Sequence, residues 1–382
     1  MSKRKLVRIT TVPLSLEKLL EGQLHFMSKH FEVTAISADE ARLKKYAEAE
    51  GVGYYHVNLT RKITLFKDLW ATFKLYRYLR KTRPYIVHTH TPKAGIVGML
   101  AAWLARVPNR LHTVAGLPLM EANGFKKKLL VIIEKWTYRF ATKVFPNSQG
   151  LQEYILVERF TSPSKLRIIG EGSSNGIDTQ FFDPTTVSEA MIKQTKATYE
   201  IPSKDLVFLF VGRLVKDKGI VELVTAFQDL QQKYQDISLV LVGPFETELD
   251  PLPNDIMEIC TKHPKIVLTG FQQDVRPYFA ISDVLVFPSY REGFPNVVLQ
   301  AGAMGVPSIV SNINGCNEII VDGTNGLIVP VKDTEMLQEA MEKLYLDTQI
   351  RNKMAEASRG LIMQKYEREK IWKELLRMYQ AL

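Results

Sequence analysis

Runs of consecutive apolar residues, each closed by a Gly or Pro turn and followed by a segment with helical spacing, restrict this chain more than any other feature. The clearest run is Leu206-Val207-Phe208-Leu209-Phe210-Val211-Gly212. A strand that is apolar at every position has no face to give to water, so it belongs inside a parallel sheet covered by helices on both sides. Residues 237–242 before Gly243-Pro244, residues 266–270 and residues 283–288 repeat the pattern. Upstream, residues 6–10, 31–36 and 84–88 read as strands. Residues 17–29 and 65–82 read as helices, the first with Leu19, Leu20, Leu24 and Met27 on one face. The alternation predicts parallel α/β sheets, whose ligands sit at the carboxyl-end turns of the strands.

At roughly 150 residues per domain, 382 residues predict about two domains. The pattern loosens around Phe182-Asp183-Pro184, passes through a connecting helix at 189–199, and breaks at Ile201-Pro202-Ser203 before the strands restart. The expected division is 1–196 and 197–365. No apolar run reaches the ~18 residues of a membrane span; the longest, 94–107, is shorter and contains Arg106. The start, Met1-Ser2-Lys3-Arg4-Lys5, lacks the apolar core of a signal peptide. Cys260 and Cys316 are far apart and match no metal-ligand spacing. A reduced, cytoplasmic setting is expected.

Charge is divided unevenly. Residues 1–196 hold 31 Lys and Arg against 16 Asp and Glu, and residues 197–382 hold 19 against 25. A basic first half suits an anionic partner such as a phospholipid surface or a lipid-linked diphosphate; a solvated basic surface is the plainer reading. No motif supports nucleic acid.

Two blocks in the second half carry chemistry. Gly212-Arg213-Leu214-Val215-Lys216-Asp217-Lys218-Gly219 follows a strand and precedes a helix, so Arg213 and Lys218 can bring two cations to one cleft. Breaking a bond to a diphosphate builds charge on the leaving oxygen, and fixed cations stabilise it. The second block is Arg291-Glu292-Gly293-Phe294-Pro295-Asn296-Val297-Val298-Leu299-Gln300. Proline suits a first helical turn, and the N–H groups of that turn can hold phosphate oxygens. Glu292 is placed to accept hydrogen bonds from sugar hydroxyls, or simply to cap the helix. Gln300 lies eight residues on, about two turns, so that both side chains can face one cleft.

Taken together, these blocks resemble those of family 4 retaining glycosyltransferases. So do Val144-Phe145-Pro146-Asn147-Ser148, Asn175-Gly176-Ile177-Asp178 before Phe181-Phe182, and Asn317-Glu318-Ile319-Ile320 through Gly323, Asn325 and Gly326. The resemblance spans nearly the whole chain in order. It implies the α/β GT-B fold: two facing Rossmann-like domains with an interdomain cleft, and a C-terminal helix, about 366–382, crossing back to the first. It implies net retention at the anomeric carbon, no metal and no cofactor. Arg213 and Lys218 would hold the diphosphate, and Glu292 with the backbone of Gly293, Phe294, Pro295, Asn296 and Val297 would hold the donor sugar. The family has a second carboxylate where this chain has Gln300, bonding the donor's ribose; glutamine keeps the hydrogen bonding and loses the charge.

In the first half, the resemblance sets Thr11-Val12-Pro13-Leu14 along the acceptor cleft. His88-Thr89-His90-Thr91 suggests a metal at first sight, but no third ligand is near, and a turn lining the acceptor cleft is favoured. His112 matches a functional histidine of the family, beside the transferred sugar; a buried structural histidine is the other reading. The expected activity is transfer of a hexose or N-acetylhexosamine, with UDP-N-acetylhexosamine the favoured donor, to a polyprenyl-diphosphate-linked sugar. The expected place is the inner face of the cytoplasmic membrane, in bacterial capsule, O-antigen or lipid-linked oligosaccharide assembly. The competing readings are a GT-B sugar-nucleotide epimerase and a non-catalytic nucleotide-sugar-binding protein. A nicotinamide enzyme is disfavoured because no Gly-rich turn follows Thr10.

Overall fold

The computed structural model describes residues 3–60, 64–120, 122–246 and 250–382. Met1 and Ser2 of the N-terminal segment lie outside the described residues. The chain forms two compact units, Met1–Asn175 with Glu369–Leu382, and Gly176–Arg368.

The first unit runs β1 (Lys5–Ile9), α1 (Pro13–Leu19), α2 (Gln23–Ser28), β2 (Glu32–Ser37), α3 (Glu40–Glu50), β3 (Gly53–His56), α4 (Leu65–Thr82), β4 (Ile86–His90), α5 (Pro92–Leu104), β5 (Asn109–Val114), α6 (Gly124–Phe140), β6 (Lys143–Pro146) and α7 (Gln149–Val157). The second runs α8 (Glu189–Thr198), β7 (Leu206–Val211), α9 (Ile220–Lys233), β8 (Ile237–Val242), α10 (Asn254–Lys262), β9 (Ile266–Gly270), α11 (Arg276–Ala280), β10 (Val284–Phe287), α12 (Asn296–Ala303), β11 (Ser308–Ser311), α13 (Cys316–Ile319), β12 (Gly326–Val329), α14 (Thr334–Leu346) and α15 (Thr348–Tyr366). Helix α16 (Arg368–Gln380) then returns to the first unit, burying Ile371, Leu375 and Tyr379 against Leu6, Leu16 and Phe31.

Both sheets are parallel and six-stranded, in the orders β3-β2-β1-β4-β5-β6 and β12-β11-β10-β7-β8-β9. Each is the doubly wound arrangement, with the strand order reversing between β1 and β4 and between β7 and β10. The cores follow from strand alternation. In β1, Leu6 joins the cluster under α1, α2, α3 and α16, while Val7 and Ile9 join the one under α4, α5 and α6. Strands β7 and β8 are buried along nearly their whole length, as their unbroken apolar runs require.

Three local differences from the sequence reading have simple causes. Residues 17–29 are divided between two short helices: α1 stops at Leu19 with Leu20 as its C-cap, and α2 starts anew from Gly22, an N-cap with φ +71°. Strand β4 continues through His90 rather than ending at His88. Residues 109–114 are themselves β5, so His112 sits mid-strand. Polar strand interiors are tolerated there because they satisfy one another: Thr89 Oγ1 lies 2.8 Å from His112 Nδ1, and His88 Nε2 lies 2.7 Å from Thr113 Oγ1.

Candidate active site

In the second unit the loops leaving β7 and β10 diverge at the sheet's switch point, the place where open α/β sheets bind ligands. The β7 loop passes through Gly212 and Arg213 to a single 3-10 turn, Lys216–Lys218. The β10 loop, 288–295, leads into α12. Across that point the Lys218 ammonium is paired with the Glu292 carboxylate, with only 17% and 16% of the two side chains exposed. Buried Ser289 holds its hydroxyl 3.1 Å from Glu292 Oε1.

The Glu292 loop is clamped on two sides. On one, the Tyr290 N–H donates to the Asp217 carbonyl at 2.9 Å, and Arg291 bonds the Asp217 carboxylate at 3.0 Å. On the other, the Asn314 amide donates to the Glu292 carbonyl at 2.5 Å. Two glycines permit this closeness. Gly219 has φ +69°, and a Cβ there would strike the Pro288 carbonyl. Gly315 has φ +79°, and a Cβ there would lie 2.6 Å from the Gly293 carbonyl oxygen. Asn314 and Gly315 are absent from the sequence reading; nothing in their spacing from Glu292 marks them before the strands are placed.

Arg213 stands apart from that pair. It is half exposed and bonds Glu246 on the loop after β8 at 2.7 Å. Each cation expected to meet a diphosphate therefore has a carboxylate partner of its own. Phe294 is a core residue, packed on Tyr366 at 5.4 Å between ring centroids, so it can offer a ligand only its backbone. Pro295 is the N-cap of α12, and Asn296 and Val297 form its first, half-buried turn. Gln300 lies on α12, in its second turn, whereas Glu292 precedes the helix, so the eight-residue spacing does not span two helical turns. Cys316 is buried beside Glu292, and burial and that charge push its thiol well above the ordinary range. Asn325 of the downstream motif is structural, accepting from the Val321 N–H at 2.7 Å and donating to the Ile319 carbonyl.

In the first unit the switch point lies between β1 and β4. There Thr11 and Thr91 join hydroxyls at 2.8 Å, and Pro13 opens α1. Thr91 holds φ +85°, ψ 145°, a strained conformation for any residue but glycine. The expected acceptor-side histidines are buried strand residues. The His88 Nδ1 accepts from Arg8 at 2.8 Å, which with the Thr113 contact fixes a neutral Nε2–H ring; burial and the Arg8 charge hold its pKa well below the usual range. His90 is equally buried and neutral, but neither of its ring nitrogens has a partner among the described residues. The structure also sets His112 in the interior: Gly95 of α5 packs directly over its ring, and burial lowers its pKa to about 3. Gly95 on one side and the Thr89 hydroxyl at Nδ1 on the other hold that ring between α5 and β4. Among the described residues, no cluster of three or more His, Cys, Asp or Glu side chains could hold a metal ion.

These two doubly wound units define a GT-B glycosyltransferase fold. The structure of HepE from Anabaena in complex with UDP and glucose is similar at TM-score 0.82 and 18% identity, covering 99% of this chain and all of that one. Residues 191–361 match the family described as glycosyl transferases group 1, and residues 25–172 match the glycosyl transferase 4-like domain. The chain is 33% identical to the capsular polysaccharide biosynthesis glycosyltransferase CapM of Staphylococcus aureus, over 99% of this chain and 97% of that protein. It is 28% identical to the UDP-Gal:alpha-D-GlcNAc-diphosphoundecaprenol alpha-1,3-galactosyltransferase of Escherichia coli, over 95% and 93%. The chain belongs to this glycosyltransferase family.

Proposed function

We propose that this glycosyltransferase moves a hexose or N-acetylhexosamine, with retention and without metal, from a UDP-linked donor to a lipid-diphosphate-linked saccharide in surface polysaccharide assembly. The observation that carries the reading is the Lys218–Glu292 pair at the switch point, beside the first turn of α12.

The pair can change partners. A diphosphate arriving at the α12 N-terminus takes the Lys218 ammonium, and Arg213 swings from Glu246 to the same oxygens. Glu292 is thereby released to accept hydrogen bonds from the sugar hydroxyls. As the anomeric C–O bond breaks, charge grows on the leaving diphosphate oxygen, and these cations and the backbone N–H groups of 293–297 stabilise it. The acceptor hydroxyl attacks from the same face and passes its proton to that oxygen. Both reactants are held, so much of the gain is positional. Gln300 bonds the ribose as a neutral partner.

On the acceptor side, Pro13 and Thr91 shape the edge of the first sheet. His90, with hydrogen-bonding capacity to spare, is the better ligand of the two histidines; His88 supports that edge from within. Support for a lipid-linked acceptor comes from the name of the Escherichia coli relative and from α4 and α6. They expose Phe66, Leu69, Trp70 and Phe125 among Lys67, Lys74 and 126–128, a composition suited to an anionic membrane surface. No helix among the described residues is long and apolar enough to cross a membrane. Flotation with anionic vesicles tests the surface contact: co-flotation at low salt is expected, and none at low salt contradicts it.

A further inference from the structure

A cavity of about 870 Å³ lies in the first unit among α4, α5, α6 and the loop after β1. Its walls are apolar, with Leu69, Ile96, Leu100 and Leu130 facing it. One end is polar: Thr11 and Thr91 line it at the switch point, with Lys93, Lys126 and Asp68 nearby. Lys93 is mostly buried and paired with Asp68, and Lys126 is exposed. The helices run back from that edge at ~1.5 Å per residue, so Leu100 and Glu134 lie roughly 10 Å or more further in than Lys93 and Lys126. An apolar shaft with cations at one end fits an amphiphile whose anionic group stays at the sheet edge.

Glu134 supplies the second observation. It is 5% exposed and lines the cavity, and its Oε2 has no hydrogen-bond partner among the described residues. Burial raises its carboxyl to about 7, with the Tyr138 phenol one turn away opposing the shift. The other charged or titratable groups around it are Asp68 from α4, Lys93 from α5, Lys126 on its own helix, and His112 from β5, whose ring lies 6.0 Å from that of Tyr138. An apolar chain filling the cavity shuts water away from Glu134, and an ionised carboxylate cut off from water costs several kcal/mol. Occupancy by such a chain therefore requires the neutral acid.

We propose that this cavity receives the isoprenoid chain of a polyprenyl diphosphate, with the diphosphate at the Thr11–Thr91 edge near Lys126 and the chain end against a protonated Glu134. The choice of a prenyl diphosphate over another amphiphile rests on the transfer reaction proposed above. The strained Thr91 backbone marks the edge where chain and headgroup part.

Calorimetric titration of the full chain, with saturating UDP to fill any nucleotide site, compares farnesyl diphosphate with inorganic pyrophosphate. Farnesyl diphosphate is expected to bind at least about tenfold tighter at about pH 6, and the advantage to shrink about tenfold by about pH 8 as Glu134 ionises. Ile96→Trp, which fills the shaft, removes the advantage at both values. Glu134→Gln keeps the advantage and loses its pH dependence, which separates this linkage from the ligand's own titration. Leu130→Trp serves if Ile96→Trp melts early. Equal affinity for the two probes, or an advantage that survives both tryptophan variants, overturns the proposal. Failure of the transfer reading registers elsewhere, as absent nucleotide release whatever binds here.

Discussion

Lys218 and Glu292, 74 residues apart in the chain, meet as an ion pair across the switch point of the second sheet. Neither is on a regular helix or strand. Each is fixed by its loop, and the loops are fixed by Gly219 and Gly315, where any other residue would clash or strain. A pair so little exposed, beside the first turn of α12, is the feature on which the proposed exchange of partners rests.

Lys218→Ala is expected to lower kcat by roughly 10² or more, by comparison with removing one charge-stabilising donor. Because the two side chains touch, Glu292→Gln and the double variant should be strongly non-additive, with a coupling of about 1 kcal/mol or more in kcat/KM. Steady-state kinetics on the four proteins of the cycle measures it. Additive effects would mean that the pair does not act as a unit.

Gln300→Glu restores a carboxylate on the second turn of α12. A hydrogen bond to a charged acceptor is worth about 1.5–3 kcal/mol against about 1 for a neutral one. The donor KM should therefore fall several-fold, with kcat little changed. A KM that rises, or a kcat that falls with it, would place Gln300 away from the donor.

The doubly wound sheets were legible in the sequence because buried parallel strands must be apolar throughout, and 206–212 and 237–242 have no other use. Glu292, Lys218 and Gln300 were legible as motifs. What was hidden is what depends on tertiary pairing. His88 reads as a strand end, His90 as part of a turn, and His112 as either a site residue or a buried one; the alignment of β4 and β5 sets all three within strands, where Thr partners satisfy His88 and His112. Nothing in the sequence around Glu134 marks it, on a helix rich in lysine. Only the packing of α4, α5 and α6 turns it inward.

His88→Ala and His90→Ala should part company. Removing His88 strips a partner from buried Arg8, which also bonds the Tyr379 hydroxyl of α16, and is expected to cost about 2–4 kcal/mol in stability. The His90 ring has no hydrogen-bond partner among the described residues, so its loss should spare stability more and raise the acceptor KM. Melting temperatures and acceptor titrations on both variants test the distinction. Equal destabilisation with no change in acceptor KM would make both merely structural.

Stability should depend on pH through groups of opposite sign. His88, His90 and His112 are held neutral, with folded pKa values below the unfolded 6.5, so the unfolded chain binds protons first and stability falls as pH drops below about 6.5. For His112 the loss runs down to about 3, at up to ~1.4 kcal/mol per pH unit. Glu134 acts the other way. Its folded value is about 7 against 4.5 unfolded, so the folded state binds the proton and stability falls as pH rises between those values, by roughly 3 kcal/mol in all. Glu134→Gln should steepen the acid loss of the first unit between about pH 5 and 7 and raise its stability at about pH 8. Denaturant melts across that range decide it; an unchanged slope would contradict the assignment.

Transfer itself is decided by a screen of nucleotide sugars scored by release of the nucleoside diphosphate, with and without a polyprenyl-diphosphate-linked sugar, in EDTA, with the product's anomeric configuration read by NMR. UDP release is expected from one UDP-sugar, dependent on the lipid-linked acceptor, surviving EDTA, with configuration retained and the release lost in Lys218→Ala. Conversion of the donor without any acceptor, or donor binding with no release under any acceptor, would contradict it.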